Sequence, residues 1–229
     1  MNLSSALQLS NQQVLVQAVG RLLYQLSFGL MNFYIPILFV NRMGFSATSV
    51  GFALGLVSIT EVAGHLIGGT LADSARFGRK TVLTLAGGCG LLVSILLMLA
   101  DSLWLLMVAN LVLGVSLGFY WTASGAAVMD ATASEERPQA FAVLGLMEYI
   151  GIGIGILGGS ALLGLVQERP QFLFGGCTLA FLGGWAMDQA PLVAHRFWLG
   201  VAISTGLCIT LLWVFEMLHA GVQVQTSES

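Results

Sequence analysis

Apolar residues in this chain gather into long runs instead of alternating with polar ones. Runs long enough for a membrane helix, roughly 17–25 mainly apolar residues, fall near 14–40, 47–72, 81–100, 103–129, 139–166, 171–187 and 196–218. Polar or turn-forming residues separate them: Asn41 to Gly44, Asp73 to Lys80, Asp101 and Ser102, Asp130 to Pro138, Gln167 to Pro170, and Asp188 to Arg196. The pattern predicts an all-α fold, a polytopic membrane bundle of six or seven transmembrane helices. The sixth run, Phe172 to Met187, is short and holds four glycines, so a re-entrant segment stays open there. The expected layout is a cytoplasmic tail at 1–13, a six-helix bundle at 14–187, a loop at 188–195, a seventh apolar segment at 196–218 and a polar tail at 219–229.

Composition agrees with lipid as the main solvent. Hydrophobic residues make up 57% of the 229 and charged ones 8%, with a mean hydropathy of +0.90. A soluble domain carries about a quarter charged residues, which this chain lacks. The net charge of −3 and the scattered basic residues argue against nucleic-acid binding. Cys89, Cys177 and Cys208 lie far apart in apolar runs, in neither a disulfide nor a zinc spacing. Residues 1–13 hold no Lys or Arg, so no cleavable signal peptide is expected and the first apolar run stays as a span.

Lys and Arg set the expected orientation. With the N-terminus inside, Arg76, Arg79, Lys80, Arg137 and Arg196 fall inside, against Arg42 and Arg169 outside. That is five against two, or four against three if the sixth run does not span. The expectation is a multi-pass protein of the cell membrane with a cytoplasmic N-terminus. Trp104, Trp185, Trp198 and Trp213 near span ends read as interface anchors.

Ionisable groups inside spans cost roughly 2.5–3.5 kcal/mol each on insertion scales, so each asks for a reason. Arg21, Glu61, His65 and Glu148 lie well inside their spans, near the depth at which transporters hold substrate and coupling ions. At 100° per residue, Gln17, Arg21, Gln25 and Asn32 fall within about an 80° stripe of the first helix. Ser58, Glu61, His65 and Gly68 do the same in the second, and Asn110, Trp121 and Ser124 share a face with Gly114 in the fourth. Three narrow polar stripes in apolar cylinders suit helices that line a watery cavity. Arg21 with Glu148 is open to two readings, a structural neutralising pair or a substrate and proton group. Glu61 is read as a proton-coupling carboxylate, since burial disfavours its charge and a basic neighbour favours it. Trp121, near mid-span, is a candidate to stack on a solute.

Other chemistries find little support. Glu61-x-x-x-His65 has metal-ligand spacing, yet a lone pair supplies too few ligands. No nucleophile–base pattern or phosphate-cradling loop occurs, so neither an enzyme nor a cofactor is implied. Glycines repeat at four-residue spacing (Gly51/Gly55, Gly64/Gly68, Gly114/Gly118, Gly151/Gly155/Gly159), which predicts close helix packing. Glu148 shares the glycine face of the fifth helix, which favours a paired carboxylate.

Gly69-Thr-Leu-Ala-Asp73 followed by Arg76-Phe-Gly78-Arg79-Lys80 resembles the G-x-L-A-D-R-x-G-R-K loop between the second and third helices of major facilitator superfamily transporters. Ser74 and Ala75 are two extra residues within it. Pro36 to Gly51 is similar to that family's first outside loop, Asp130 to Arg137 to its fourth–fifth inside loop, and Arg169-Pro-Gln-Phe172 to the start of its sixth helix. Asn110 stands where the family often has an arginine, four residues before Gly114. Gly155 stands where the antiporter motif has proline. The resemblance covers about residues 14–190 and implies the N-terminal six-helix half of a transporter. It also implies that Gly69, Asp73, Arg76, Gly78, Arg79 and Lys80 form a gating latch between two bundles.

The resulting expectation is a secondary active transporter of a small solute by alternating access, coupled to protons. Its partners would be the lipid bilayer, the solute, protons and a second bundle from a homodimer mate or partner chain. The rival expectation is a non-transporting scaffold or a truncated transporter half.

Overall fold

A computed structural model describes residues 12–165 and 173–189. The N-terminal tail before them, residues 166–172 with the Arg169-Pro-Gln-Phe172 segment, the loop residues 190–195, the seventh apolar run and the polar C-terminal tail lie outside the described residues. Among the described residues six α-helices follow one another: α1 Gln12–Pro36, α2 Ala47–Ala72, α3 Gly78–Met98, α4 Leu103–Ala131, α5 Arg137–Leu165 and α6 Gly175–Gln189. The first five are long and apolar enough to cross a bilayer. α6 has 15 residues, about 22 Å at 1.5 Å per residue, and lies along α1 and α3.

Local chemistry sets the helix ends. Ser46 caps α2 by accepting from the Ser49 N–H at 3.1 Å, and Ser102 caps α4 by accepting from Leu105 N–H at 3.4 Å. Each satisfies one of the N–H groups that a first helical turn leaves free. Gly44 (φ 74°) and Gly78 (φ 70°) take the left-handed conformation that an L side chain resists. α3 therefore starts at Gly78, three residues before the run that hydropathy marks, because the glycine makes the turn. Past Pro36, α1 continues as a π-helix over Ile37–Arg42, which the apolar pattern does not reveal. Proline has no N–H for the i→i−4 ladder, and the change of helix type falls just after it.

The helices form two tight pairs. α2 runs against α4, and α1 against α5, while α3 and α6 join the pairs from behind. Glycine makes both seams possible. A Cβ on Gly114 would collide with the Val57 carbonyl and Thr60, and one on Gly155 with the Leu26 carbonyl. The core fills the space between the seams. Tyr24 and Tyr120 stack with ring centroids 3.8 Å apart, and Phe181 meets Tyr24 edge-on. Buried Val14, Ala18, Val128, Ala140, Val143 and Leu144 close the basic end of the bundle between α1, α4 and α5. The outward side chains are apolar as well: Phe52, Ile59, Val62, Leu66 and Ile67 on α2, and Leu146, Tyr149, Ile154 and Leu157 on α5. Patches of that extent mark a surface meant for lipid or for another protein.

Candidate functional site

Arg21, Ser124 and Glu148 come from three helices and meet at one level. Counted from the basic end at about 1.5 Å per residue, they lie roughly 10–17 Å deep. The Arg21 side chain is 5% exposed and that of Glu148 is 21% exposed. Arg21 Nη2 donates to Ser124 Oγ at 3.1 Å, and Nη1 stands 3.7 Å from Glu148 Oε2. The first contact is a hydrogen bond. The second is an ion pair without one. Ser124 Oγ in turn donates to Gln17 Oε1 at 3.5 Å.

The guanidinium also rests on an aromatic face. Its carbon lies 4.4 Å from the Trp121 ring centroid and 5.8 Å from that of Tyr120. Trp121, a candidate to stack on a solute by sequence, lies against the Arg21 guanidinium. Tyr24 and Tyr120 form the floor beneath, with Tyr24 OH and Ser116 Oγ 2.7 Å apart and Ser116 donating to the Ala86 carbonyl at 2.8 Å. The sequence reading missed both tyrosines. Their signal was available: Tyr24 is three residues from Arg21, on the same side of α1, and Tyr120 adjoins Trp121.

Two polar groups at this level stay unmatched. Arg21 Nε and Gln25 Oε1 are buried with no hydrogen-bond partner among the described residues. Such groups cost on the order of 1–3 kcal/mol each, and a bound solute or water would recover that cost. Gln25 sits in the α1–α5 seam: a Cβ on Gly151 would stand 3.2 Å from its own Cβ.

The remaining candidates fall elsewhere. Glu61 and His65 form a pair within α2 at 3.7 Å, on the flank of that helix's contact with α4, with their side chains 30% and 40% exposed. Asn110 shares an angle with Trp121 but lies eleven residues away, about 16 Å along the helix. It is buried, and its Nδ2 donates to the Leu106 carbonyl of its own helix at 2.8 Å. Asn32 is exposed, a similar distance beyond Arg21 on α1.

The basic loop is built compactly around its two extra residues. Ser74 Oγ donates to the Leu71 carbonyl at 2.8 Å and accepts from Phe77 N–H at 3.2 Å, so the insertion makes its own turn. Gly69 lies in the last turn of α2 and Asp73 follows its end, exposed. Arg76 lies over the Phe77 ring at 6.0 Å, and Lys80 is exposed near the start of α3. Arg79 pairs with Asp130 and donates to the Ala126 carbonyl at 3.0 Å. Both contacts tie the loop to the end of α4. Arg137 adds a hydrogen bond to the Met129 carbonyl at 3.3 Å. Two guanidinium groups therefore meet the negative end of the α4 dipole.

Comparison with known proteins adds the relationships. Residues 18–217 match the sequence profile described as Major Facilitator Superfamily. The Multidrug resistance protein MdtH of Yersinia enterocolitica serotype O:8 is 32% identical over 179 residues, covering 76% of this chain and 42% of that protein. The protein of the same name from Yersinia pestis (strain Pestoides F) is 32% identical over 170 residues, covering 72% and 40%. The chain thus spans less than half the length of the curated relatives it matches. Among solved structures, tetrameric PepTSo2 superposes with a TM-score of 0.68 at 16% identity, over 86% of this chain and 47% of that one. A structure described for substrate recognition in proton dependent oligopeptide transporters gives 0.70 at 14% identity, over 89% and 48%. At such identities the likeness is one of fold.

Proposed function

The chain belongs to the major facilitator superfamily, and from that premise we propose that this multi-pass membrane protein supplies one bundle of a secondary transporter for a small solute. The bundle works by alternating access, and a second bundle from a dimer mate or partner chain closes its cavity. The basic loop then faces the cytoplasm and acts as the latch between bundles. The observation that carries this reading is the Arg21–Glu148 pair, two opposite charges held 3.7 Å apart deep in an apolar bundle. Intramembrane charges of this kind are functional by default. Unmatched Gln25 Oε1 and Arg21 Nε beside the pair support a solute or proton role over simple neutralisation. The names of the relatives, multidrug resistance proteins, support export as the direction.

Glu61 is the proton-coupling group in this proposal. Its carboxylate is less buried than Arg21 and is paired with His65 at 3.7 Å. The test is transport by the purified protein in liposomes under an imposed pH gradient, alongside its native mass in nanodiscs. Arg21→Gln and Glu148→Gln should each lower transport at least tenfold, and Glu61→Gln should lose its response to the gradient. A Glu61 variant that keeps the full gradient response sinks the coupling role. A stable monomer near 24.2 kDa without transport sinks the transporter reading and leaves the scaffold.

A further inference from the structure

Three polar side chains outside the Arg21 site stand open in the apolar middle of the bundle. Tyr149 of α5 is 75% exposed and makes no hydrogen bond among the described residues. Glu61 and His65 of α2 meet each other at 3.7 Å, an ion pair without a hydrogen bond, and both are partly exposed. Counted from the basic end, Tyr149 and Glu61 lie at about 17–18 Å and His65 at about 10–11 Å. Helical side chains lean toward their own N-terminus. α5 begins at the basic end and α2 finishes there, so the Tyr149 hydroxyl leans toward that end and the His65 ring away from it. The two reach one level. Hydrocarbon offers such groups neither donor nor acceptor, so all three call for a protein partner.

Their surroundings face the same way. On α5, Tyr149, Ile152 and Ile156 fall within about 60° of one another, as Ser58, Val62 and His65 do on α2. Ile152 and Ile156 line an apolar cavity of about 410 Å³, so that side of α5 is unfilled. Exposed Ile59 and Leu66 flank the polar stripe of α2, and exposed Leu146 and Leu157 flank Tyr149. α2 and α5 belong to different helix pairs, and within one chain the hydroxyl does not meet the Glu61–His65 pair.

Two copies inserted in the same direction are related by a two-fold axis along the membrane normal, which keeps every residue at its depth. Setting α2 on the partner's α2 would face imidazole with imidazole and bring the two carboxylates together. Setting α5 on the partner's α5 would pair two tyrosines and leave Glu61 and His65 bare. Setting α2 of each copy on α5 of the other satisfies both needs twice. We propose that the α2 and α5 flanks take a second copy of this chain, Tyr149 of each protomer hydrogen-bonding to the Glu61–His65 pair of its partner, with the apolar stripes packed around those bonds. The inference rests on the reading that a second bundle closes the cavity, and names that bundle and the side chains that join the two.

Cross-linking and dissociation of the purified full chain in liposomes test it. With Cys89→Ser, Cys177→Ala and Cys208→Ser as background, one population carries Val62→Cys on α2 and another Leu146→Cys on α5, both about 13–15 Å from the basic end. The mixture should cross-link through a short bis-methanethiosulfonate, and each population alone should not. Energy transfer between C-terminally labelled copies, diluted in lipid, gives the dimer dissociation constant. Tyr149→Phe removes two hydrogen bonds per dimer and should raise that constant about fivefold or more, whereas Leu92→Ala, on the exposed face of α3, should leave it unchanged. The tyrosine variant keeps the native cysteines, so it decides alone if the cysteine-free chain does not fold. A monomer at every dilution, preferred cross-linking of Val62→Cys to itself, or Tyr149→Phe without effect would each overturn the proposal. Transport by a monomer, or only together with a different chain, overturns it and leaves the transporter reading standing. A dimer of this form that moves no solute removes that reading and leaves the interface.

Discussion

Replacing Glu148 with glutamine leaves the Arg21 guanidinium on Ser124 and Trp121 but removes its counter-charge. At 3.7 Å, two unit charges in an effective dielectric of about 20 attract by about 4–5 kcal/mol. Desolvation of Arg21 and the partial exposure of Glu148 cancel much of that, leaving a net coupling of about 1–3 kcal/mol. The two single losses should differ in size. Arginine cannot shed its proton, so Glu148→Gln strands a fixed charge on a side chain only 5% exposed. Arg21→Met strands a carboxylate that is more exposed to solvent, and methionine still packs on Trp121. Glu148→Gln should therefore cost about 2–4 kcal/mol and Arg21→Met about 1–2 kcal/mol. The double variant should cost less than their sum by the coupling energy. Reversible unfolding in mixed micelles, followed by tryptophan fluorescence, measures all three. A coupling below about 0.5 kcal/mol, or a larger loss for Arg21→Met, would show that the pair does not hold Arg21 in place.

Two further outcomes check the packing. Gly155→Ala should lose about 1–3 kcal/mol, because its Cβ meets the Leu26 carbonyl, whereas Gly88→Ala, with nothing within 4 Å of its Cβ, should be neutral or gain up to about 1 kcal/mol; melting temperatures in detergent compare them, and equal shifts would refute the seam. Ser116→Ala should cost about 1–3 kcal/mol by orphaning the Tyr24 hydroxyl, while Tyr24→Phe should cost less because Ser116 keeps its bond to the Ala86 carbonyl; the same melting assay reads the order, and its reversal would refute it.

How much of this was legible in the sequence depends on which coordinate a residue pattern reports. Hydropathy reports depth, so the long runs located five spans to within a few residues. The departures trace to single residues: Gly78, whose positive φ starts α3 early, and Pro36, after which α1 turns to π-helix. Glycine spacing reported contact, but not the partner. That Gly114 serves α4 against α2, and Gly155 serves α5 against α1, required the packed bundle. Helical angle reports direction only. It grouped Asn110 with Trp121 and Asn32 with Arg21, although each pair is about 16 Å apart along its helix. Angle and depth used together would have kept Arg21, Ser124 and Glu148 and separated the two asparagines.

The arrangement of seams gives the site its particular mechanics. Arg21 and Glu148 sit on α1 and α5, within one glycine-seamed pair, so their 3.7 Å separation is fixed by backbones that touch at Gly151 and Gly155. The bonds from Arg21 to Ser124 and Trp121 run to α4, in the other pair. A glycine substitution in the α1–α5 seam acts on the ion pair directly, because it spreads the two backbones that carry the charges. A substitution at Ser124 leaves that distance untouched and loosens one pair of helices from the other. Charge separation and helix-pair separation are thus controlled by different residues around one guanidinium. Sequence spacing within any single helix could not express that division, since it depends on which neighbour each helix face meets.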